Sequence, residues 1–298
     1  MITDAEIAYF QTFGFLHCKR FLSVHEATEL ADQFDRTMRK ARDGAAEPVL
    51  EQDDQGFSRV RQQANADKGK KVPFFDYDPD AFNWMLEDPR FEDYFSHLMG
   101  QDYLVGEIGD PAHCAGTEGL IHAGGTPWHL DVRISAGEAE DEFFTMRAHL
   151  YLDKLVGPED GCLLVLPGSH HVGAYRERLL RNRELMKNKD VDFKTAFGAA
   201  PEDLPGAFAV VNEPGDVTFL NHRTFHASLT SRTGRRCVHI NAGKAVNSHS
   251  VPKQVEALKI CLTSRYAEVR ITAAAALRRL ATAEALVALE EYDANISA

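Results

Sequence analysis

Trp128-His129-Leu130-Asp131-Val132 sets an imidazole and a carboxylate two residues apart in a stretch of strand-forming residues. On a strand, residues i and i+2 project from the same face. His129 and Asp131 then converge on one point. Joined by a second imidazole, they make a two-histidine, one-carboxylate set that leaves three cis positions on a divalent iron for a bidentate 2-oxo acid and O2. An isolated H-x-D is a common pair with little specificity of its own.

The second imidazole must come from elsewhere among 13 histidines. Pro214-Gly215-Asp216 followed by Val217 to Asn221 reads as a turn and then a strand, delivering His226 at its far end. Ser228 follows by two residues, and Arg235 and Arg236 follow the Thr233-Gly234 turn. A 2-oxo diacid needs a fixed cation at its distal carboxylate. Arginine offers a planar fork for that group, and a serine hydroxyl adds a donor. Taken singly, the two arginines read as hairpin surface charges and His226 as a satisfied core histidine; only their grouping points to chemistry.

Other candidates have plainer readings. His170 and His171 follow Pro167-Gly168-Ser169 and read as turn residues. His222 stands four before His226, a helical zinc spacing out of place in a β context. Arg147, His149, Tyr151 and Asp153 would share one face of a strand looking into a barrel, as substrate contacts or as an internal hydrogen-bond network. Trp128 and Phe75 are candidate cavity walls. The basic stretch Arg176 to Lys189, the cluster Lys68, Lys70 and Lys71, and the acidic pair Asp141 and Glu142 read as solvated charge.

The elements that must position these groups are punctuated by Gly and Pro. Thr3 with Glu6, and Ser23 with Glu26, are capping-box patterns. The first opens a short helix that Gly14 ends. After a strand over Phe15–Phe21, the second opens a helix running to about Arg42, with Ala27, Leu30, Ala31, Phe34 and Met38 inward. Asp43 to Lys71 reads as a long loop. Pro79 starts another helix, broken near Pro89 and ended by Gly100. Strand-like runs follow at Tyr103–Ile108, Trp128–Ile134, Phe143–Leu152, Cys162–Leu166, Ala207–Asn212, Val217–Asn221 and Arg235–Asn241, which predict a sandwich or open barrel. Two units are expected: residues 1–250 as the β domain with its N-terminal helices, and 251–298 as a helical extension packing on the barrel or on a second subunit as a homodimer. One stretch of that tail faintly resembles a HEAT-type repeat, which cannot bury a core alone.

The formal net charge of −12 argues against nucleic acid or an anionic membrane as partner. The 5 cysteines are odd in number and lack a C-x-x-C, so neither a disulfide framework nor a cysteine zinc site is expected, and a cytoplasmic setting fits. No signal peptide or membrane span is read from the sequence.

Several segments, in order, resemble the phytanoyl-CoA dioxygenase family of 2-oxoglutarate oxygenases: Ile7-Ala8-Tyr9-Phe10, Phe13-Gly14-Phe15-Leu16 and Phe21-Leu22-Ser23; Pro127 to Asp131; Tyr151-Leu152-Asp153 with Gly161 to His170; Pro214-Gly215-Asp216; and His226-Ala227-Ser228. The resemblance implies a double-stranded β-helix (jelly roll) with flanking helices. It implies Fe(II), 2-oxoglutarate and O2, with His129, Asp131 and His226 as iron ligands and Arg235 and Ser228 at the 2-oxoglutarate carboxylate. The chain departs from the family pattern in a shorter His226-to-arginine stretch that lacks the usual asparagine. Shortening by an even number keeps Arg235 on the original face, whereas a shift by one selects Arg236; parity favours Arg235. Related halogenases carry Gly or Ala at the carboxylate position, so Asp131 implies hydroxylation or another oxidation of a small organic substrate. Acyl-CoA hydroxylation and a catalytically silent binding protein stay open as alternatives.

Overall fold

The computed structural model describes residues 1–42, 50–52, 58–60, 70–74, 78–106, 117–122, 124–131, 145–171, 173–230, 233–246, 248–264 and 267–296. Phe75, Lys68, Asp141, Glu142 and the strand residues expected at 132–134, 107–108 and 143–144 lie outside them.

Local chemistry sets the N-terminal helices. Thr3 caps Asp4–Phe13 with the full reciprocal box, and Gly14 closes it in the left-handed region. Ser23 and Glu26 exchange the same pair of bonds ahead of Val24–Arg42. That helix turns Leu30, Phe34 and Met38 into the core. Pro79–Glu87 and Pro89–Met99 each begin on proline, and Asp88 accepts the Arg90 N–H at the second start.

The described residues form thirteen strands, in chain order β1 Phe15–Cys18, β2 Leu50–Gln52, β3 Ser58–Val60, β4 Lys70–Pro73, β5 Tyr103–Val105, β6 Thr117–Ile121, β7 Thr126–His129, β8 Met146–Tyr151, β9 Leu163–Val165, β10 Phe208–Val210, β11 Val217–Asn221, β12 His226–Ser228 and β13 Arg236–Lys244. The larger sheet runs β1-β11-β8-β13-β6-β4, with β5 on the far end of β13; the smaller runs β10-β9-β12-β7. Every pairing is antiparallel. The central order β6-β13-β8-β11 over β7-β12-β9-β10 alternates successive strands between two sheets except at β9 and β10, which pair within the smaller one, the winding of an eight-stranded jelly roll. The fold matches the expectation. Strand limits differ at the ends, and the β2–β3 hairpin and the first two residues of β4 lie inside the stretch read as a loop, because short charged strands carry no hydrophobic alternation.

Period-2 alternation sorts the larger sheet. Ala148, Leu150, Val238, Ile240 and Phe219 pack outward with the N-terminal helices in one core, while Tyr151, Cys237 and Leu220 join Leu163, Val165 and Phe225 in the core shared with the smaller sheet. The C-terminal helices Val251–Cys261, Ala267–Leu280 and Ala283–Ile296 build a third core with Leu104 of β5. Thr272 Oγ1 accepts the Val105 N–H at 3.2 Å and Glu268 Oε2 the Thr117 N–H at 3.1 Å, so these helices pack on this chain's own barrel. Among the described residues, no helix is long and apolar enough to cross a membrane.

Candidate metal centre

β7 and β12 are adjacent in the smaller sheet, and their register sets His129 directly opposite His226. The two rings lie 4.2 Å apart, centroid to centroid. Asp131 follows two residues after His129, and its N–H donates to the His222 carbonyl at 3.2 Å, which fixes the chain where it leaves β7. His129 Nε2 stands 3.5 Å from Asp131 Oδ1 and His226 Nε2 stands 3.7 Å from Asp131 Oδ2. One donor atom from each residue lies within 4.8 Å of the other two.

The imidazoles are oriented by their second nitrogens. His129 Nδ1 faces the Pro127 carbonyl at 2.8 Å, and His226 Nδ1 faces the Thr224 carbonyl at 2.9 Å. A carbonyl only accepts, so both Nδ1 atoms carry the proton and both Nε2 lone pairs are left for an ion. Burial, opposed by Asp131, pushes His226 down to about 4, so it is neutral at pH 7. Burial works against ionisation of Asp131, yet Arg147, His226 and the His129 hydrogen bond hold it well below the usual carboxylate range. Cis ligands at roughly 2.1 Å from an ion stand about 3 Å apart, close to the 3.5 and 3.7 Å at which the two imidazoles stand from the Asp131 carboxylate. The residues fit a divalent iron.

Two neighbours complete the surroundings. Arg147 Nη1 lies 3.0 Å from Asp131 Oδ2, and Arg147 Nε donates to Asn241 Oδ1 at 2.6 Å. His222, set aside on its spacing, stands beside Asp131 with Nε2 at 3.7 Å from Oδ2 and Nδ1 at 2.8 Å from Thr145 Oγ1. Burial, then Arg147, pushes His222 down to about 3. Sequence reasoning missed it because its contact is made across the fold from a turn after β11.

Ser228 and Arg235 meet further along the barrel. Ser228 Oγ donates to the Gly161 carbonyl at 3.0 Å, and Arg235 Nη1 donates to that same oxygen. Arg235 Nη2 reaches the Gly124 carbonyl at 2.8 Å, and the side chain is 1% exposed. Gly161 has a φ of +84°, and a Cβ there would fall 2.6 Å from Arg235 Cζ. Arg236 points the other way, to Asp153 Oδ1 and Asp35 Oδ2, each at 2.9 Å. The inward arginine is therefore Arg235.

Some expectations are corrected. Asp153 does not share the inner face with Arg147, His149 and Tyr151, because β8 ends at Tyr151 and the chain bends before Asp153 accepts the Arg236 N–H. Trp128 is core, not a cavity wall: it alternates away from His129, stacks on Phe225 at 5.6 Å and donates Nε1 to the Pro201 carbonyl. His170 and His171 tether the first helix through the Gln11 and Thr12 carbonyls, as turn residues. The basic helix Ala174–Leu185 buries Leu179 and Leu180 against the barrel, and its charged side chains are largely solvated except for buried Arg176.

The sequence matches the family model described as Phytanoyl-CoA dioxygenase (PhyH) over residues 10–237. No curated protein matches it. Solved structures with the same fold include the non-heme alpha ketoglutarate dependent carbocyclase SnoK from nogalamycin biosynthesis, with TM-score 0.54 and 18% identity over 82% of this chain and 85% of that one. HygX from Streptomyces hygroscopicus, solved with nickel, 2-oxoglutarate and hygromycin B, gives 0.54 and 17% over 84% and 94%. The epimerase SnoN, in complex with Fe3+, alpha ketoglutarate and nogalamycin RO, gives 0.51 and 18% over 81% and 83%. On the family match over residues 10–237, the chain belongs to the phytanoyl-CoA dioxygenase family of iron- and 2-oxoglutarate-dependent oxygenases.

Proposed function

We propose that this oxygenase oxidises, most simply by hydroxylation, a small organic substrate, with His129, Asp131 and His226 holding Fe(II) and Arg235 with Ser228 holding the distal carboxylate of 2-oxoglutarate. The observation that carries the reading is the convergence of one donor atom from each of His129, Asp131 and His226 within 4.8 Å, with both Nε2 atoms beside the Asp131 carboxylate and both Nδ1 protons committed to carbonyls. When bound, iron with 2-oxoglutarate and O2 supplies the oxidising chemistry, with succinate and CO2 as co-products.

The chain's own residues bind and orient. Arg147 engages Asp131 Oδ2 and leaves Oδ1 toward His129. Ser228 and Arg235 present three donors where Gly161 and Gly124 supply the carbonyls, and a carboxylate entering there exchanges a neutral acceptor for a charged one. The apolar residues behind His226, among them Leu164, Phe225 and Ala227, keep water from the rear of the centre. A small-molecule substrate is favoured over an acyl-CoA by the net charge of −12, which disfavours a CoA-sized polyanion. It is also favoured by the hygromycin B and nogalamycin RO held by HygX and SnoN.

The test is succinate release from 2-oxoglutarate with Fe(II), with and without candidate substrates. Substrate-stimulated succinate that disappears in His129→Ala and Asp131→Ala supports the reading. Succinate stimulated only by acyl-CoA moves the substrate to the namesake's class. No succinate under any condition leaves a binding protein.

A further inference from the structure

Two helices at different places in the fold each leave one charged face uncovered, and the charges are opposite. The helix Ala174–Leu185 turns Leu179 and Leu180 into the core shared with the smaller sheet. The helix Ala283–Ile296 turns Ala285, Ala288 and Leu289 into the C-terminal core. Residues 174–189 carry six cations against two acids, Glu177 and Glu184, in a chain of net charge −12. The helix Ala283–Ile296 carries four acids and no cation.

On both helices the helical period gathers the outward residues into one stripe. Arg178, Arg181 and Leu185 form it on the basic helix, and Leu286, Val287 and Glu290 form it on the acidic one, with Glu291 at the edge. Leu185, Leu286 and Val287 are half exposed. An exposed aliphatic side chain alone is ordinary; here one end of each stripe is aliphatic and the rest is charged. Among the described residues, Arg178, Arg181, Glu290 and Glu291 have no ion-pair partner. The stripes match when the helices run antiparallel. With Leu286 and Val287 set against Leu185, a step of four residues along each helix brings Glu290 against Arg181. Three residues further, Arg178 lies over the turn that holds Glu291. A parallel pairing would set Leu185 against that acidic turn and the arginines against Leu286 and Val287.

We propose that these two faces bind each other between copies of this chain, the helix Ala174–Leu185 of one copy lying antiparallel on the helix Ala283–Ile296 of the next. The charges select a second copy as the occupant: the chain itself carries the acidic, aliphatic stripe that complements its own basic one in sign, spacing and direction. The contact joins unlike faces of identical chains. Leu185, Leu286 and Val287 exclude water at one end, while the two arginines and two glutamates fix orientation and register. The inner side of the C-terminal helices stays on this chain's own barrel, and the second copy covers their outer side. The proposal does not rest on the assignment of iron or 2-oxoglutarate ligands.

Charge exchange gives the experiment. Sedimentation velocity of the full chain over a concentration series at low salt is expected to show reversible self-association, weakened by salt at about 0.5 M. The double variant Arg178→Glu with Arg181→Glu should weaken it by roughly 10-fold or more, and so should Glu290→Lys with Glu291→Lys. All four positions are exposed, and thermal unfolding of each variant shows that it folds. An equimolar mixture of the two variants should associate again, because each supplies the face that the other lacks. The four changes placed in one chain should restore association as well, an outcome that a merely structural role for these charges would not give. A wild-type chain that stays monomeric throughout the series overturns the proposal. So does association that survives either reversal, which would place the contact elsewhere on the surface. Loss in both variants with no recovery on mixing also overturns it, since the two faces would then not be partners. None of these outcomes touches succinate release, so the oxygenase reading is judged separately.

Discussion

Arg147 Nη1 stands 3.0 Å from Asp131 Oδ2, while His129 Nε2 stands 3.5 Å from the other oxygen, Oδ1. A guanidinium in that place takes up one oxygen and leaves the other to an ion, so the carboxylate is offered through a single atom. Its Nε is anchored in turn on Asn241 Oδ1 at 2.6 Å, across the β8–β13 pairing. Residues that orient a ligand typically account for roughly 10- to 100-fold in metal affinity. Arg147→Gln is expected to weaken Fe(II) binding by that order with the unfolding temperature little changed, measured by equilibrium binding to the metal-free chain. Unchanged affinity would reduce Arg147 to a packing residue.

The two consecutive arginines should separate cleanly. Arg235 lies inside with Ser228 on the Gly161 carbonyl, and Arg236 lies outside on Asp153 and Asp35. Arg235→Ala is expected to raise the 2-oxoglutarate half-saturation by roughly 10- to 100-fold, the worth of losing charge-assisted hydrogen bonds. Gly161→Ala should move it the same way, since its Cβ would fall 2.6 Å from Arg235 Cζ. Arg236→Ala should leave 2-oxoglutarate binding nearly unchanged and cost about 1 kcal/mol of stability. Steady-state succinate assays with denaturant unfolding of each variant decide the ranking; its reversal would exchange the two arginines.

What the sequence shows and what it hides divide along the range of the interaction. Capping boxes at Thr3–Glu6 and Ser23–Glu26 act over three residues, so they were readable without a fold. β11 was readable to the residue, since Pro214-Gly215-Asp216 marks its start. β6 was missed because Thr-Glu-Gly-Leu-Ile breaks the apolar pattern twice. Glu118 is buried at 1% exposure, and Gly119 is where a Cβ would meet Phe74 Cζ at 2.1 Å. The three-residue strand that seats His226 is too short to show a period. His129, Asp131 and His226 stood out by type and order, whereas Arg147 and His222 at Asp131 depend on pairings of β8 and β11 that no local pattern encodes.

Glu26 links the second helix to the helix Pro89–Met99. Its carboxylate takes Arg90 Nη2 at 2.6 Å while closing the capping box, and Arg90 also engages Asp88. Hydrogen bonds from Arg90 and from the Ser23 backbone hold Glu26 down at about 2. The contribution is therefore complete above the ordinary value of 4.5 and is lost as pH falls toward about 2. Both partners are about a third exposed, which reduces the expected cost of Glu26→Gln to about 1 to 2 kcal/mol. Denaturant unfolding at neutral pH should show that loss, and the gap between variant and wild type should close near pH 2. An equal gap at both ends would mean the bonds do not depend on the charge.

Burial also makes the metal-free barrel sensitive to mild acid. It pushes His226 down to about 4 and His122 and His222 down to about 3, against an ordinary value of 6.5. An unfolded chain takes a proton on each of these imidazoles as pH drops below about 6.5, whereas the native chain refuses it until about 4 or lower. Stability is then full above pH 6.5 and falls through the window from 6.5 to 4, with a limiting slope of about 1.4 kcal/mol per pH unit for each imidazole. Added Fe(II) occupies His226 in the native state alone and should raise the unfolding temperature at every pH where it binds. That gain should shrink below pH 5 as protons compete for the ligands. Unfolding temperatures measured at pH 7, 6 and 5, with and without Fe(II), test both parts. A metal-free curve that stays flat across the window would mean that these imidazoles take up protons in the folded chain as readily as in the unfolded one.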